Sequence, residues 1–581
     1  MKRKNQMLAV LLTAVLSTGC LAACGNKQDS GSDTQIQDSQ NSGSQSGDVH
    51  NTSSQETSGQ ADESILNEPG TFPISKEKIT LTIGVTQSDV IEDWKTNALT
   101  KELEDKVGVN LEFEIFPAED AVSKISARVA ADTGLPDIMV VGNLDNYYND
   151  TGVFLPVTEW YNDPDMAYYF NKRVADDPDK KDFLLRSVAA PDGEIYGCFR
   201  YQPEIGNEYS YRMWINKTWL DALGLPIPAT TEEYYETLKA FVEKDPNGNG
   251  KKDEIGLIGS TNGWHRKPQE SLMNAFTYVD PTHNYLTVED DGSLSVSYIK
   301  DGYRQGLEYM HRLVEEGLLS PLSFTQTTEQ LCVILEDPDD QLVGSLVAGS
   351  LSVYETDSIR KRDFVPLPPL TGPDGTCYAT YNPSLPDVTC YITKYCEHPE
   401  VAFRLLDYMY DETMSMWVRF GIPEVDWTAD VEGLKGLYED SLGVPCGFRQ
   451  INDVTGANNS RWPNQLLPCY RDNLDSLSIQ GLAVPEDPYD YALFTATAIP
   501  YYTDKHPEHI IEKLVYTQEE LDAIGDIATS LETYRSESVA RFIVGDMPLS
   551  EWDSYVKEIE TIGLQKYLDI TQQAYDRANS N

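Results

Sequence analysis

Histidine is nearly missing from this chain, with seven in 581 residues. None forms an HExxH pair, and in His506-Pro507-Glu508-His509 the proline spoils the helical presentation two zinc ligands need. A GxSxG elbow, a Walker A loop and a GxGxxG turn are absent as well, so the readiest signatures of serine hydrolases and of nucleotide and dinucleotide sites are missing. Basic side chains are scarce: 45 Lys and Arg face 94 Asp and Glu, a formal net charge of −49. A field of that sign repels DNA, RNA and heparin, and no nucleic acid partner is expected. Once Cys20 and Cys24 are set aside, seven cysteines remain, an odd number without a CxxC, which suggests neither a disulfide framework nor a zinc site. No stretch reaches the roughly 18 uninterrupted apolar residues of a spanning helix.

What the chain does have is core material. It is 40% hydrophobic, with nine Trp, 34 Tyr and 16 Phe. Its length exceeds what one core usually supports, so two or more lobes are expected. Met1-Lys2-Arg3-Lys4 followed by an apolar run from Met7 to Leu16 has the anatomy of a secretory signal. That segment ends in Leu21-Ala22-Ala23-Cys24-Gly25, similar to a bacterial lipobox, with Cys24 as the acylated residue. Cys20 offers a competing frame without the apolar residue three positions upstream, and a plain cleaved signal with an incidental Cys24 is the other alternative. From Gly25 to about Gly70 the chain is Ser, Gln, Asp, Asn, Thr and Gly, too polar to offset its chain entropy. As a flexible tether it would reach roughly 35–40 Å.

The ordered region opens with alternating signals. Ile79, Leu81, Ile83 and Val85 recur at period two, and so do Val109, Leu111, Phe113 and Ile115. Leu99, Leu103 and Val107 share a helical face before Gly108, and Ala121, Val122, Ile125 and Val129 share another before Gly134-Leu135-Pro136. Asp137–Val141 reads as a buried third strand. Strands alternating with helices of this length predict a parallel sheet covered on both faces, with ligands beyond its carboxyl ends. Thr230 and Glu233 form a capping box that opens a helix carrying Tyr234, Leu238, Phe241 and Val242. Tyr303, Leu307, Met310 and Val314 repeat the helical pattern, and from about Thr517 the chain is mostly helical.

One loop has the spacing of a cation site. Asp245, Asn247, Asn249 and Asp253 place side-chain oxygens at loop positions one, three, five and nine, with Gly250 at position six. Lys251 offers only its backbone carbonyl. The twelfth position is Gly256 rather than a bidentate Glu, and Glu254 could supply the missing carboxylate. On spacing alone the segment is either a calcium loop or a solvated Asn/Gly turn.

The lipobox, the tether and the opening strands with Gly134-Leu135-Pro136-Asp137-Ile138 resemble a solute-binding lipoprotein of a bacterial ABC importer. The likeness is to the large oligosaccharide-binding group related to alginate-oligosaccharide-binding proteins. Met213–Gly224, Pro369–Gly375, His398-Pro399-Glu400 and Phe542-Ile543-Val544-Gly545 fit the same family in order. Where such proteins commonly read Gly-Ile-Glu-Gly before a Trp, this chain has Gly421-Ile422-Pro423-Glu424-Val425-Asp426-Trp427. The resemblance implies a two-lobed periplasmic-binding-protein-like α/β fold of type II, with an interlobe ligand cleft and a helical C-terminal region. The expected parts are a signal (1–23), lipidated Cys24 and tether (24–72), an N-terminal lobe (73–208 plus 372–424) and a C-terminal lobe (209–371 plus 425–578). Crossovers are expected near Glu208–Tyr211, Phe364–Gly375 and Gly421–Trp427.

The resemblance also implies a structural Ca²⁺ at the Asp245–Glu254 loop, a carbohydrate ligand, permease subunits as partners, a lipid anchor at the extracellular face of the membrane, and a working monomer. Aromatic rings stack on the C–H faces of sugars while Asn and Asp bind hydroxyls. The candidate contacts are Asn143 and Asp145 past the third strand, Tyr209 at the first crossover, Trp427 after the third, and Trp264 and Trp462 in Gly/Asn-rich loops. A binding role without catalysis is expected, and a secreted carbohydrate hydrolase is the alternative. Cys24→Ser is expected to release the protein into the medium or leave it unprocessed, as fractionation and immunoblotting would show; normal processing and membrane retention would move the anchor to Cys20.

Overall fold

The computed structural model describes residues 64–579, except 119, 142–143, 145–151, 204, 356–357, 437–438, 440–442, 444, 453, 455, 464–465, 472–478 and 481–497. The alternating runs become β1 (Thr80–Thr86) and β2 (Asn110–Phe116), and the short apolar run becomes β3 (Ile138–Val140). Both β2 and β3 pair with β1 in parallel. The helix between β1 and β2, Ala98–Glu102 continuing as a π turn over Leu103–Val107, buries Leu99, Leu103 and Val107. The next, Ala121–Ala130, buries Ala121 and Ile125.

After β4 (Cys198–Tyr201) the chain builds a second sheet from β5 (Met213–Asn216) and β6 (Ile255–Ile258). A hairpin of β7 (Leu286–Val288) and β8 (Leu294–Val296) intervenes, followed by β9 (Val343–Val347) and β10 (Phe364–Leu367). It then returns with β11 (Asp387–Ile392), β12 (Trp427–Thr428), β13 (Phe448–Gln450), β14 (Cys469–Tyr470) and β15 (Ile479–Gln480). The first sheet has the order β14-β4-β11-β3-β1-β2 and the second β10-β5-β9-β6. In the first sheet β11 alone is antiparallel to its neighbours, and in the second β5 alone is. The first crossing therefore leaves the carboxyl edge of the first sheet at Tyr201 and enters the carboxyl edge of the second at Met213. The second leaves Leu367 and returns at Asp387 on the same two edges.

Both faces of each sheet are covered. Ile83, Val85, Leu99, Phe170, Phe403 and Trp462 fill one face of the first lobe, and Phe116, Ile125, Met139, Phe154 and Tyr391 fill the other. In the second lobe Tyr234, Phe241, Tyr303 and Met310 pack with Val539, Phe542 and Tyr555 of the C-terminal helices, while Trp214, Ile258, Leu331 and Leu346 occupy the opposite face. Each such large apolar side chain stabilises the fold by about 1.5–3 kcal/mol through burial. The Thr231–Glu243 helix has both arms of its capping box, Glu233 N donating to Thr230 Oγ1 (3.1 Å) and Thr230 N to Glu233 Oε2 (3.2 Å). Thr517 and Glu520 cap the Gln518–Val544 helix in the same way.

Two lobe boundaries differ from expectation. The segment after Leu370 stays with the second lobe, where Tyr378 N donates to Asn274 O (3.0 Å) and Thr380 Oγ1 to Val279 O (2.8 Å). The crossing proper begins at Asn382, whose N–H donates to Glu208 O at 2.9 Å. The described residues of 460–471 belong to the first lobe, because β14 pairs with β4 and Trp462, Cys469 and Tyr470 lie in its core. Tyr470 thus still lies in the first lobe while Ile499 packs in the second, so the chain does not leave the first lobe for good at Gly421–Trp427. Lys513, on a segment packed with the second lobe, donates from Nζ to Ser187 O at 2.5 Å in the first.

One charge is buried at a cost. Asp407 is 1% exposed and accepts the N–H groups of Tyr169 (2.9 Å) and Phe170 (3.0 Å) at the start of the Tyr168–Arg173 helix. Burial outweighs those bonds and the nearby Arg404, and pushes the carboxyl up to about 7. A folded-state pKa above the unfolded one means that Asp407 contributes most below about pH 4 and that this contribution is lost as pH rises through about 7. Asp407→Asn, which cannot ionise, is expected to flatten the decline in stability over that window. Urea unfolding of both proteins at several pH values checks it, and parallel profiles would show that Asp407 is ionised throughout.

Candidate functional site

Ligands of open α/β sheets bind beyond the carboxyl ends of the strands. On the first lobe the loop after β1 is zipped to residues 454–462: Glu92 N donates to Asn458 O (3.1 Å), Asn458 N to Val90 O (3.1 Å) and Ala98 N to Asn459 O (2.8 Å). On the second lobe the loop after β6 carries Trp264, the loop after β9 begins at Ala348, and Tyr211 and Arg212 lead into β5. Glu208 joins the two crossings, its backbone oxygen accepting from Asn382 and its Oε1 from Ser384 N at 3.3 Å.

The second-lobe wall is aromatic and cationic. Trp264 is 41% exposed, the most open of the nine tryptophans. The Arg212 guanidinium lies 6.0 Å from the centre of its ring, and Arg212 itself is buried and donates to the Gly206 carbonyl in the first crossing. His265 packs at a tilt of 44° against Tyr211 with ring centres 3.8 Å apart, and Tyr211 Oη lies 3.5 Å from Thr282 Oγ1. Burial, with the Arg212 charge second, pulls the His265 imidazole down to about 4, so the ring is neutral near pH 7. An open indole face beside a neutral imidazole can stack on one sugar ring and hydrogen-bond its hydroxyls.

The other candidates lie elsewhere. Trp462 is 1% exposed, edge-on to Trp94 (5.5 Å) and Phe113 (5.4 Å), with Nε1 donating to Thr100 Oγ1 at 2.8 Å. It is a core residue of the first lobe. Trp427 is 8% exposed, packs on Phe448 and donates from Nε1 to Gly421 O at 2.9 Å, closing a local turn. Tyr209 stands at the first crossing as expected, but its ring is buried there against Tyr381 of the second, with centres 5.0 Å apart. Asn143, Asp145 and Cys24 fall outside the described residues. Tyr211, Arg212 and His265 went unnoticed in the sequence; the one clue is that Tyr211 and Arg212 flank the Met213–Asn216 strand.

The Asp245–Glu254 loop sits between the Thr231–Glu243 helix and β6. Asp245, Gly248 and Gly250 have positive φ (52°, 73° and 75°), which curls the chain tightly enough for Gly250 N to donate to Asp245 Oδ2 at 3.0 Å. Asn249 Oδ1 accepts from Lys251 N at 2.7 Å, and Lys251 Nζ pairs with Asp340 at 2.8 Å. Among the described residues no three His, Cys, Asp or Glu side chains converge on their own as a metal cage. Here, however, carboxylates alternate with amide and carbonyl oxygens, the donor set hard Ca²⁺ takes. Glu254 is 8% exposed and neither of its carboxylate oxygens has a hydrogen-bond partner; Asp245 Oδ1 is likewise buried without one. Burial raises the Glu254 pKa, as it must for a carboxylate lacking a counter-charge. A side chain at the twelfth position is excluded, because a Cβ on Gly256 would lie 2.5 Å from Leu318 O. The residues present therefore fit a calcium ion.

No protein-family model matches the chain. Among curated proteins it is similar to the fructooligosaccharide ABC transporter substrate-binding protein FusA of Streptococcus pneumoniae serotype 4, with 27% identity over 543 residues, 88% of this chain and 92% of that one. The solved structure of a S. pneumoniae FusA EF-hand mutant in complex with fructo-nystose aligns with a TM-score of 0.68 at 23% identity, covering 86% of this chain and all of that one. An HMO-binding ABC-transporter-associated solute-binding protein from Bifidobacterium longum infantis gives 0.71 at 20% identity, over 86% and 99% of the two chains. At these identities the solved structures speak to the fold. Among the described residues no helix is long and apolar enough to cross a membrane. Along most of its length the sequence is thus similar to that of an ABC transporter substrate-binding protein, and its two α/β lobes share the fold of solved solute-binding proteins.

Proposed function

We propose that this chain captures an oligosaccharide in the interlobe cleft and delivers it unaltered to the permease of an ABC importer. The observation that carries the reading is the likeness, over 88% of the chain, to a protein named for fructooligosaccharide binding. The open Trp264 face at the carboxyl edge of the second sheet supports it. The remaining parts rest on narrower support. Leu21-Ala22-Ala23-Cys24 supports a lipid anchor at the outer face of the membrane. A cleft made within one chain supports a monomer as the working unit. The unpaired carboxylate oxygens of Asp245 and Glu254 support a structural Ca²⁺ held by Asp245, Asn247, Asn249, the Lys251 carbonyl, Asp253 and Glu254. The ion would neutralise these carboxylates and fix the loop beneath β6, and would take no part in chemistry on the sugar.

Closure of two lobes on a ligand stabilises the bound form by mass action, by about 2.7 kcal/mol at a hundredfold excess over Kd. A thermal-shift panel of oligosaccharides and peptides, kestose included, is expected to show a glycan raising the melting temperature with the logarithm of its concentration and no release of reducing ends. Trp264→Ala should weaken that binding by about 1.5–3 kcal/mol, the worth of one large apolar face withdrawn from water. Peptides shifting the melt while no glycan does would overturn the carbohydrate assignment, and turnover of any glycan would overturn the receptor.

For the loop, chelation is expected to lower the melting temperature of the wild type, and Asp245→Ala to abolish the difference between calcium and chelator. Identical melts of the wild type in both conditions would reduce the loop to a turn.

A further inference from the structure

Trp264 is the exposed aromatic of the second-lobe wall, and within its own loop its ring meets that of His265 at a tilt, with centres 5.5 Å apart. The surface behind the ring belongs to another loop. A Cβ placed on Gly349 would lie 2.6 Å from Cδ2 and Cε3 of Trp264 and 3.0 Å from Cε2, and these are the three nearest atoms it would meet. Real Cβ atoms do not approach so closely, so the indole rests flat on the bare backbone of Gly349. The φ of Gly349 is outside the left-handed region, and glycine is needed there for space alone.

The backbone beneath the ring is held from three sides. Ala348 O accepts from the buried Trp214 Nε1 at 2.9 Å, Ala348 N donates to Arg212 O at 3.3 Å, and Gly349 N donates to Trp264 O at 3.0 Å. Trp214 is fully buried between β10 and β9, with which its strand pairs. With the backbone fixed, a methyl group at position 349 displaces the indole and leaves the strand in place. We infer that Gly349 is the positioning residue of the sugar platform: it seats the Trp264 indole so that one face lies on the backbone of the loop after β9 and the other is presented to the ligand. This rests on the reading of the cleft as a glycan site.

The test uses the full chain labelled with 5-fluorotryptophan, whose nine tryptophans give separable ¹⁹F signals, with Trp264→Phe identifying that of Trp264. In Gly349→Ala the Trp264 signal is expected to move while the other eight stay. Affinity for the glycan found in the panel, kestose being the first probe, is expected to fall about tenfold or more. Gly349→Ala combined with Trp264→Ala should bind and melt like Trp264→Ala alone, because the added methyl acts only through the ring. An unmoved Trp264 signal in Gly349→Ala would overturn the proposal, as would further losses of affinity or melting temperature in the double variant relative to Trp264→Ala. Should Trp264→Ala itself leave affinity unchanged, the glycan reading of this wall fails, while the ¹⁹F signal still decides whether Gly349 seats the ring.

Discussion

The cleft depends on strand polarity. Every parallel strand of the first sheet ends on the edge where the chain departs for the second, and β6, β9 and β10 end on the edge where it arrives. The two described crossings lie side by side because Glu208 accepts from Asn382 and Ser384, one bond through its backbone and one through its carboxylate. The loops after β1, β6 and β9, and the turn before β5, all emerge on these edges. No separate device is needed to gather them.

Within that frame the two walls are built differently. The first-lobe loops are sealed by long-range bonds, among them Asn97 Nδ2 to Arg461 O and Trp462 Nε1 to Thr100 Oγ1, and their aromatics turn inward. On the second lobe the buried Arg212 makes contact in two directions, toward the Gly206 carbonyl in the crossing and toward the Trp264 ring. One side chain therefore touches both the first crossing and the exposed indole. Lys513, donating to Ser187 O, adds a charged hydrogen bond between the lobes, of a kind worth about 1.5–3 kcal/mol.

Local patterns were legible in the sequence and distant pairings were not. The period-two runs at Ile79 and Val109, the helical faces at Leu99 and Tyr303, and the capping box at Thr230 are settled within a few residues, and the fold forms them where expected. Trp462 looked open because it sits in a Gly/Asn-rich segment. It is buried by partners about 350 to 370 residues earlier, which no local pattern records. The third crossing was misplaced for a related reason. Cys469–Tyr470 is a two-residue strand without periodicity, and what assigns it to the first lobe is its pairing with β4. Of the proposed aromatic contacts Trp264 alone is exposed, and the residues that surround it come from three separate stretches of chain.

His265 has a consequence beyond its packing. An ordinary histidine changes charge between about pH 5 and 8. Enclosed beside Tyr211 and Arg212, with its imidazole held down to about 4, this one stays in a single protonation state across that range. The wall beside Trp264 therefore presents the same hydrogen-bonding character at this ring in neutral and in mildly acidic surroundings.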